Sequence, residues 1–326
     1  MNNEITNITM KFKKLHILVI GDLMLDVYQS GRVKRISPEA PVPIVEIKNS
    51  FERLGGAGNV CLNITSLNAK CSSIGIIGKD PTGEKIKSLM SENNINYEHI
   101  IINSNRPTTT KTRIIANDQQ VVRIDNENIS PIDNSEENEI LHNVKKTINK
   151  IDAIILQDYN KGLLTEKLIH ELIKLANENS KPIFVDPKFD NFFSYKNVFL
   201  FKPNKKETEK ILGFKFDGID SIKKGAEIIK EKLQCKNVLI TLGEEGMLLL
   251  TNDGEFYTIP TQAKQVHDVS GAGDTVISAM AVFYSAEYSL KESTIMANVS
   301  AGKVCESFGV VPIKFDDLQD EINRYF

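Results

Sequence analysis

The sequence has few cysteines, and they form no pairing motif. Cys61, Cys71, Cys235 and Cys305 lie far apart in the chain, without a C-x-x-C pair. Zinc sites usually carry closely spaced cysteine pairs, and disulfide frameworks are typical of small secreted chains. We therefore expect four reduced cysteines that serve as packing residues in a cytoplasmic protein.

The chain also lacks an excess of charge and a long apolar run. It carries 40 basic and 43 acidic residues, a net charge of −3, so charge does not draw it to nucleic acid or an anionic membrane. Residues 1–14 have neither the apolar core nor the cleavage site of a signal peptide, and no apolar run is long enough to span a bilayer. We expect no nucleic-acid partner and no membrane partner.

Two common phosphate-binding motifs are missing as well. No G-x-G-x-x-G follows the first apolar run, and no G-x-x-x-x-G-K-[ST] occurs anywhere in the chain. The usual dinucleotide fingerprint and the P-loop are therefore excluded. A length of 326 residues allows one large α/β domain, with or without a small appendage.

The most informative stretch is DVSGAGDT, residues 268–275. Gly271, Ala272 and Gly273 lead into an apolar segment that predicts a buried helix, so its first backbone N–H groups converge on a point that suits phosphate. Asp274, on the first turn, would repel that phosphate. It makes sense as a base that takes a proton from a hydroxyl attacking the phosphate. The alternative is that Asp274 caps the helix, and the octet alone leaves both interpretations open.

Much of the chain alternates between short apolar strands and helices, which predicts a parallel sheet with helices on both faces and a site along the carboxyl ends of its strands. Strands are predicted at 15–20, 153–156, 182–185, 198–201 and 238–240. Polar residues follow them: Asp22, Asp26, Asp158, Lys161, Asp186, Lys188, Asn204, Glu207 and Thr241. Asp22 and Asp26 could accept hydrogen bonds from sugar hydroxyls, although for Asp22 a role in turning the chain is favoured.

Two segments at about 32–49 and 108–125 interrupt this pattern. The first contains three prolines, and the second carries turn residues at 116–118 between alternating strands. We expect the two segments to form a small antiparallel sheet outside the main domain. Such a sheet cannot bury both faces alone, so it should cover a site as a lid or pair with a second subunit. Its strand edges favour a homodimer.

Taken in order, these features resemble the ribokinase-like (PfkB-type) carbohydrate kinases from Gly21 to about Gly309. The resemblance rests on four motifs: Gly55-Gly56 with Asn59, Asn204-x-x-Glu207, Thr241-x-Gly243-x-x-Gly246, and Asp268-x-x-Gly271-Ala-Gly-Asp274. It implies an α/β fold, a ribokinase-like three-layer sandwich with a mainly parallel central sheet and a small β-sheet lid. We expect one kinase domain that covers residues 1–326.

The resemblance also implies cofactors and residue roles. Asp274 is implied as the catalytic base, and the N–H groups of Gly271, Ala272 and Gly273 as the anion hole that stabilises the transferring phosphoryl group. ATP and Mg²⁺ are implied as cofactors, with Glu207 reaching Mg²⁺ through water and K⁺ near Asp268. The implied nucleotide site comprises Asn204, Glu207, Thr241, Gly243, Gly246 and Asn298. The implied sugar contacts are Asp26, Gly55, Gly56 and Asn59, with Asp158 and Asp186 as further rim candidates.

A closer resemblance is to the branch that phosphorylates D-glycero-β-D-manno-heptose 7-phosphate at O1. It rests on residues 35–43, the Gln119-Gln120 pair and the Asp158-Tyr-x-Lys161-Gly162 stretch. It implies the 1,7-bisphosphate as product. Many members are fused to a nucleotidyltransferase domain. Here the chain stops one helix after Gly309, so we expect that domain to be absent and a separate nucleotidyltransferase to act later.

A sugar 7-phosphate needs cations for its remote phosphate. The candidates are Lys111, Arg113 and Arg123 on the lid, with Lys161 and Lys188 on the rim. We hypothesise that two of these five hold it. Two other interpretations remain open: a kinase for another sugar or sugar phosphate of the fructose or ribose type, and a sugar-binding regulator without catalysis.

Overall fold

In this computed structural model, the structure describes residues 3–117, 119–262, 269–307 and 309–325. The α-helices of the described residues are α1 (Asn3–Lys14), α2 (Ala57–Ser66), α3 (Pro81–Glu92), α4 (Asn134–Thr147), α5 (Glu166–Glu178), α6 (Lys205–Leu212), α7 (Ile219–Leu233), α8 (Ala272–Ser285), α9 (Leu290–Cys305) and α10 (Gln319–Tyr325). The strands are β1 (His16–Gly21), β2 (Leu23–Ile36), β3 (Pro43–Gly56), β4 (Lys70–Ile74), β5 (Ile76–Gly78), β6 (Ile95–Asn96), β7 (Ile101–Asn103), β8 (Thr110–Ala116), β9 (Gln119–Asn126), β10 (Ala153–Gln157), β11 (Ile183–Asp186), β12 (Leu200–Phe201), β13 (Asn237–Thr241), β14 (Met247–Leu250) and β15 (Phe256–Ile259).

The central sheet has nine strands in the order β15-β14-β13-β12-β11-β10-β1-β4-β6. The pairings from β6 through to β13 are parallel, and β14 and β15 add an antiparallel edge. The expected mainly parallel sheet is therefore confirmed. Because parallel strands share one direction, β1, β10, β11, β12 and β13 all end at one rim of the sheet.

Helices cover both faces of this sheet and create two hydrophobic cores. Along β1, Ile17 and Val19 belong to the core that also contains residues of α2, α8 and α9. Leu18 and Ile20 belong to the core that contains residues of α4, α5 and α7. Side chains alternate between faces along a strand, so one apolar run contributes to both cores. The three-layer sandwich is confirmed.

A second sheet, the lid, has the order β3-β2-β8-β9. Its two hairpins, β2–β3 and β8–β9, are antiparallel, and they join through a parallel pairing of β2 with β8. A separate small sheet was expected, but the pairing at its centre is not antiparallel. The strands β2 and β3 also extend well beyond 32–49. Leu23 to Tyr28 and Leu54 to Gly56 are buried against the main domain. No alternation of polar and apolar residues therefore marks these buried parts of β2 and β3.

The strand register gives the lid two different faces. Lys111 pairs with Asp125 and Arg113 with Arg123 across β8 and β9, which places these charged side chains on one face. Ile124 and Val122 alternate with them, so they point the other way. The charged face carries the contact to Asp26. The other face carries exposed apolar side chains.

Two further expectations concern packing and membranes. The four cysteines are free and buried, which confirms their role as packing residues. Within the four described ranges, no helix has the length and apolar character needed to cross a membrane.

Candidate active site

Asp274 lies at the third position of α8, and its carboxylate contacts three side chains. Its Oδ2 accepts a hydrogen bond from Asn59 Nδ2 at 2.8 Å. Its Oδ1 accepts from Tyr159 Oη at 2.8 Å and from Gln157 Nε2 at 3.1 Å. The N-cap of α8 is Gly271, with φ 81°. The capping interpretation of Asp274 is therefore wrong, because its side chain points to other elements.

Burial raises the pKa of Asp274 to about 6. The hydrogen bond from Asn59 lowers this pKa, and the negative charge of Asp186 raises it further. A carboxylate that is almost fully buried loses hydration in its charged form. Its pKa lies close enough to neutrality for the group to accept a proton from a hydroxyl and release it again. This environment suits a general base.

The start of α8 is where the anion cradle is expected. Gly271 takes a positive φ that favours glycine. A Cβ added to Gly273 would lie 3.5 Å from Lys202 Nζ and 3.8 Å from Asp186 Oδ2, so a lysine and a carboxylate share this corner. The Ala272 backbone N–H donates to the Val269 carbonyl oxygen at 3.3 Å. Lys202 is 2% exposed, and its Nζ lies 3.0 Å from Asp186 Oδ1. Asp186 balances the charge of this lysine, and the lysine and the helix N-terminus together provide N–H donors of the kind that suit a phosphoryl group.

A cavity of about 400 Å³ adjoins the cradle. Ala272 and Gly273 line it, so it opens directly onto the start of α8. Its other lining residues include Thr241, Gly243, Gly246, Asn298, Met247 and Val276. The predicted nucleotide residues Thr241, Gly243, Gly246 and Asn298 therefore lie together around one cavity with apolar walls. Such walls and a polar end suit a nucleoside with its phosphates.

Asn204 and Glu207 have a structural role at the start of α6. Asn204 Oδ1 accepts a hydrogen bond from the Glu207 backbone N–H at 2.9 Å, and Glu207 Oε2 accepts from the Asn204 backbone N–H at 2.9 Å. This reciprocal pair is a capping box. Glu207 Oε1 lies 2.5 Å from Lys188 Nζ. Both residues lie at the rim, but Asn204 Oδ1 and the two carboxylate oxygens of Glu207 already have protein partners.

The predicted sugar contacts fall into two groups. Asp26 is buried and forms an ion pair with Arg113, and a Cβ on Gly55 would collide with the Asp26 carboxylate. Gly55 and Gly56 therefore allow close packing of β3 on β2. Gly56, with φ 57°, is also the N-cap of α2. Asn59 contacts Asp274, the candidate base.

The carboxylates of Asp186 and Asp158, both at the rim, lie on opposite sides of the sheet. Gln157 Nε2 bridges Asp274 and Asp186, at 3.1 Å from each carboxylate. The next residue, Asp158, points the other way and accepts hydrogen bonds from Tyr195 Oη and the Asn160 backbone N–H. Alternation along the strand explains this separation. Asp186 joins the carboxylate cluster, and Asp158 does not.

Asp22 turns the chain, as favoured from the sequence. Its Oδ2 accepts hydrogen bonds from the backbone N–H groups of Tyr159 at 2.8 Å and Lys161 at 3.1 Å. Burial and the negative charge of Asp158 raise the pKa of Asp22 to about 6. Asp22 therefore fixes the loop that carries Tyr159 to Asp274.

Each of the five candidate phosphate cations has a carboxylate partner. Arg113 pairs with Asp26, Lys188 with Glu207, and Arg123 with Asp125. Lys111 pairs with Asp125 and Glu127, and Lys161 with Glu127. Asp268, the residue expected near K⁺, lies outside the described residues.

The sequence interpretation missed Lys202, Gln157 and Tyr159 as members of the site. All three follow a predicted buried strand. The rule that ligands bind at the carboxyl ends of parallel strands could therefore have identified them. Their role depends on the order of the strands in the sheet, which the sequence does not specify.

A buried carboxylate with a raised pKa, a lysine at the start of a helix and a neighbouring cavity together suit a phosphotransferase. The sequence profile of the pfkB family carbohydrate kinases matches residues 14–314, and the chain belongs to this family. It is therefore a kinase that transfers a phosphoryl group from ATP to a sugar hydroxyl.

The chain is also similar to curated relatives that are longer. The bifunctional protein HldE of Aliarcobacter butzleri (strain RM4018) is 39% identical over 308 residues, which cover 94% of this chain and 64% of the relative. The bifunctional protein HldE of Helicobacter pylori (strain J99) is 39% identical over 308 residues, covering 94% of this chain and 66% of the relative. The chain thus spans about two thirds of the length of these relatives.

Solved structures share the fold. Arabidopsis thaliana ribokinase, in complex with ribose and ATP, matches with a TM-score of 0.76 and 18% identity, over 94% of this chain and 98% of that one. Escherichia coli phosphofructokinase-2, in complex with potassium, matches with a TM-score of 0.77 and 20% identity, over 95% of this chain and 98% of that one. The ribokinase-like fold is therefore confirmed.

Proposed function

We propose that this kinase phosphorylates D-glycero-D-manno-heptose 7-phosphate at O1, giving the 1,7-bisphosphate for nucleotide-activated heptose biosynthesis. The observation that carries the kinase chemistry is the buried Asp274 carboxylate beside the amide cradle of Gly271 to Gly273. The heptose assignment is supported by the heptose-branch motifs and by the similarity to the HldE proteins. A cytoplasmic location stays a prediction.

In this proposal Asp274 takes the proton of the attacking sugar hydroxyl. Asn59, Gln157 and Tyr159 hold the carboxylate in place through hydrogen bonds of 2.8 to 3.1 Å. The backbone N–H groups at the start of α8 and the ammonium of Lys202 face the position where negative charge develops. Fixed charges of this kind are worth more in a water-poor site than in solvent.

The described residues fit ATP well and Mg²⁺ only indirectly. The cavity that adjoins Gly273 suits the nucleoside. In the described part of the chain, no group of three or more His, Cys, Asp or Glu side chains could hold a metal ion. We expect Glu207 to act on Mg²⁺ through water, since this ion commonly keeps several waters and binds substrate phosphates. Bound there, Mg²⁺ would neutralise charge on the nucleotide phosphates. K⁺ near Asp268 stays a prediction.

The test is a substrate panel with the purified chain. Heptose 7-phosphate, fructose 6-phosphate and ribose are each offered with ATP and Mg²⁺, ADP release is followed, and phosphorus NMR identifies the phosphorylated oxygen. We expect the highest kcat/KM with heptose 7-phosphate and phosphorylation at O1. Higher kcat/KM with fructose 6-phosphate or ribose would contradict the heptose assignment. Absence of ADP release with every sugar would favour the regulator.

A homodimer through the lid is part of the proposal. Among the described residues, the lid carries most of the exposed large apolar side chains: Ile36, Val42, Ile47, Phe51, Val121, Val122 and Ile124. Contiguous exposed apolar surface commonly marks a protein interface. Val122 and Ile124 lie on the apolar lid face, which a second copy would cover. Phe51, in register with Tyr28 and Arg113, lies on the charged face toward the rim. A nucleotidyltransferase that acts on the product is a further expected partner in the pathway.

A further inference from the structure

Glu127 joins the lid to the rim through two lysines. Its Oε1 accepts a hydrogen bond from Lys161 Nζ at 2.7 Å, and its Oε2 lies 3.5 Å from Lys111 Nζ. Lys111 belongs to the lid strand β8, and Lys161 lies in the loop after the central strand β10. The side chains of the two lysines are 13% and 16% exposed, and that of Glu127 is 22% exposed. The three charges are therefore largely withdrawn from water.

The backbone on both sides of this contact is anchored. Arg106 Nη2 donates to the carbonyl oxygen of Asn128 at 2.6 Å and to that of Lys161 at 2.8 Å. The Lys161 backbone N–H donates to Asp22 at 3.1 Å. The Glu127 side chain, with three rotatable bonds, can leave the lysines without a backbone shift.

Glu127 is ionised at neutral pH. Burial acts to raise its pKa, but the hydrogen bond from Lys161 and the positive charge of Lys111 outweigh burial and lower it. A carboxylate between two ammonium groups has the charge and hydrogen-bonding pattern of a phosphate held by two lysines. A phosphate offers more negative charge and three acceptor oxygens, so it would compete well for the same two partners.

The other three candidate cations form ion pairs with different carboxylates. Arg113 neutralises the buried Asp26, and Lys188 contacts Glu207 in the capping box of α6. The Arg123 side chain is 50% exposed and pairs with its neighbour Asp125. Lys111 also lies 3.1 Å from Asp125, which it shares with Arg123 within the lid. Lys111 and Lys161 are the two candidates that share one carboxylate across the gap between lid and rim.

We propose that Lys111 and Lys161 bind the remote phosphate of the sugar phosphate, and that Glu127 occupies their subsite until the substrate displaces it. This inference rests on the proposed function, because it requires a phosphorylated sugar. It makes Glu127 a specificity residue. An unphosphorylated sugar cannot replace its charge, so the subsite would stay closed to that sugar.

The test compares charge removal at the three positions. Glu127→Gln keeps the size of the side chain and removes the competing anion, so we expect the KM for the sugar phosphate to fall about 3- to 10-fold. Lys111→Ala and Lys161→Ala should each raise that KM about 10- to 100-fold, the size of a lost hydrogen bond to a charged group. The KM for ATP should change little in all three variants.

A matched lid pair supplies the control. Glu46 and Lys34 form a 2.7 Å ion pair on the exposed part of the same sheet, and Glu46→Gln should leave the KM for the sugar phosphate unchanged. Thermal unfolding of each variant confirms that it is folded. A higher KM for Glu127→Gln would mean that the ion pair only closes the lid, and an unchanged KM would place the phosphate elsewhere. Either result overturns the inference.

Failure of the proposed function gives a different pattern. When the substrate panel selects another sugar phosphate, the heptose assignment fails, but the same variants measured on that sugar phosphate still decide the role of Glu127. When only unphosphorylated sugars react, both proposals are overturned.

Discussion

The rim of the central sheet and the lid use charged residues differently. At the rim, Asp274 is 4% exposed and Lys202 is 2% exposed, and their partners come from other strands and helices. On the lid, pairs such as Arg123 with Asp125 lie close in sequence and partly in solvent. Buried charges have fixed geometry and large electrostatic effects, whereas exposed pairs are adaptable and weak. We infer that the rim performs the chemistry and the lid governs recognition and assembly.

The largest expected effect is at Asp274. Asp274→Asn keeps the shape of the base and removes its ability to accept a proton, so kcat should fall about 10²–10⁴-fold. ATP binding, measured by calorimetry, should be largely kept. Turnover near the wild-type rate would remove Asp274 from the chemistry and break the assignment of catalysis to the rim.

Lys202 should have the next largest effect. Lys202→Met removes a positive charge beside the cradle, and kcat should fall about 10²–10³-fold, as for a lost oxyanion donor. The change also leaves Asp186 buried without its partner, which should lower stability. The double variant Lys202→Met/Asp186→Asn, compared with Asp186→Asn alone, separates the two effects. Stability should recover while kcat stays low, and full recovery of kcat would show a purely structural lysine.

The pH dependence should report the same base. Because burial raises the pKa of Asp274 to about 6, kcat/KM should decline below that pH by about tenfold per unit as the base becomes protonated. The fold should survive this change. Between their unfolded pKa values near 4 and their folded values near 6, Asp274 and Asp22 bind more protons in the folded state. Their contribution to stability therefore rises as the pH falls. Loss of activity that follows loss of circular dichroism would contradict this explanation.

The smallest effect on chemistry should come from the apolar face of the lid. The double variant Val122→Asp/Ile124→Asp places charge where we expect a second copy to pack, so the chain should become monomeric in light scattering at micromolar concentration. Because these side chains point away from the charged lid face, kcat should be largely kept. A wild-type chain that is already monomeric would contradict the homodimer.

The sequence predicted the parts of the molecule that depend on local patterns. The glycines around Ala272 predicted the start of α8, and apolar runs predicted β1 and β10 to β13. The strand β2 was recognised only in its outer half, because alternation of polar and apolar residues is lost where both faces are buried.

Contacts between distant segments could not be predicted in this way. Glu127 lies 34 positions from Lys161 in sequence, and Lys202 meets Asp186 only because β12 lies beside β11. The capping role of Asn204 and Glu207 was accessible, since a capping residue followed three positions later by Glu is a known helix-start pattern.

The capping box at α6 would tie the proposed nucleotide chemistry to folding. Glu207 supports the first turn of α6, and the proposed water-mediated contact to Mg²⁺ would use the same carboxylate. Any replacement there changes two properties at once, so slower turnover of a Glu207 variant would say little about the metal until its melting temperature is known. The rate can be measured at increasing Mg²⁺ concentration in a Glu207 variant that keeps the wild-type melting temperature. That measurement would separate the contact to Mg²⁺ from the capping of α6.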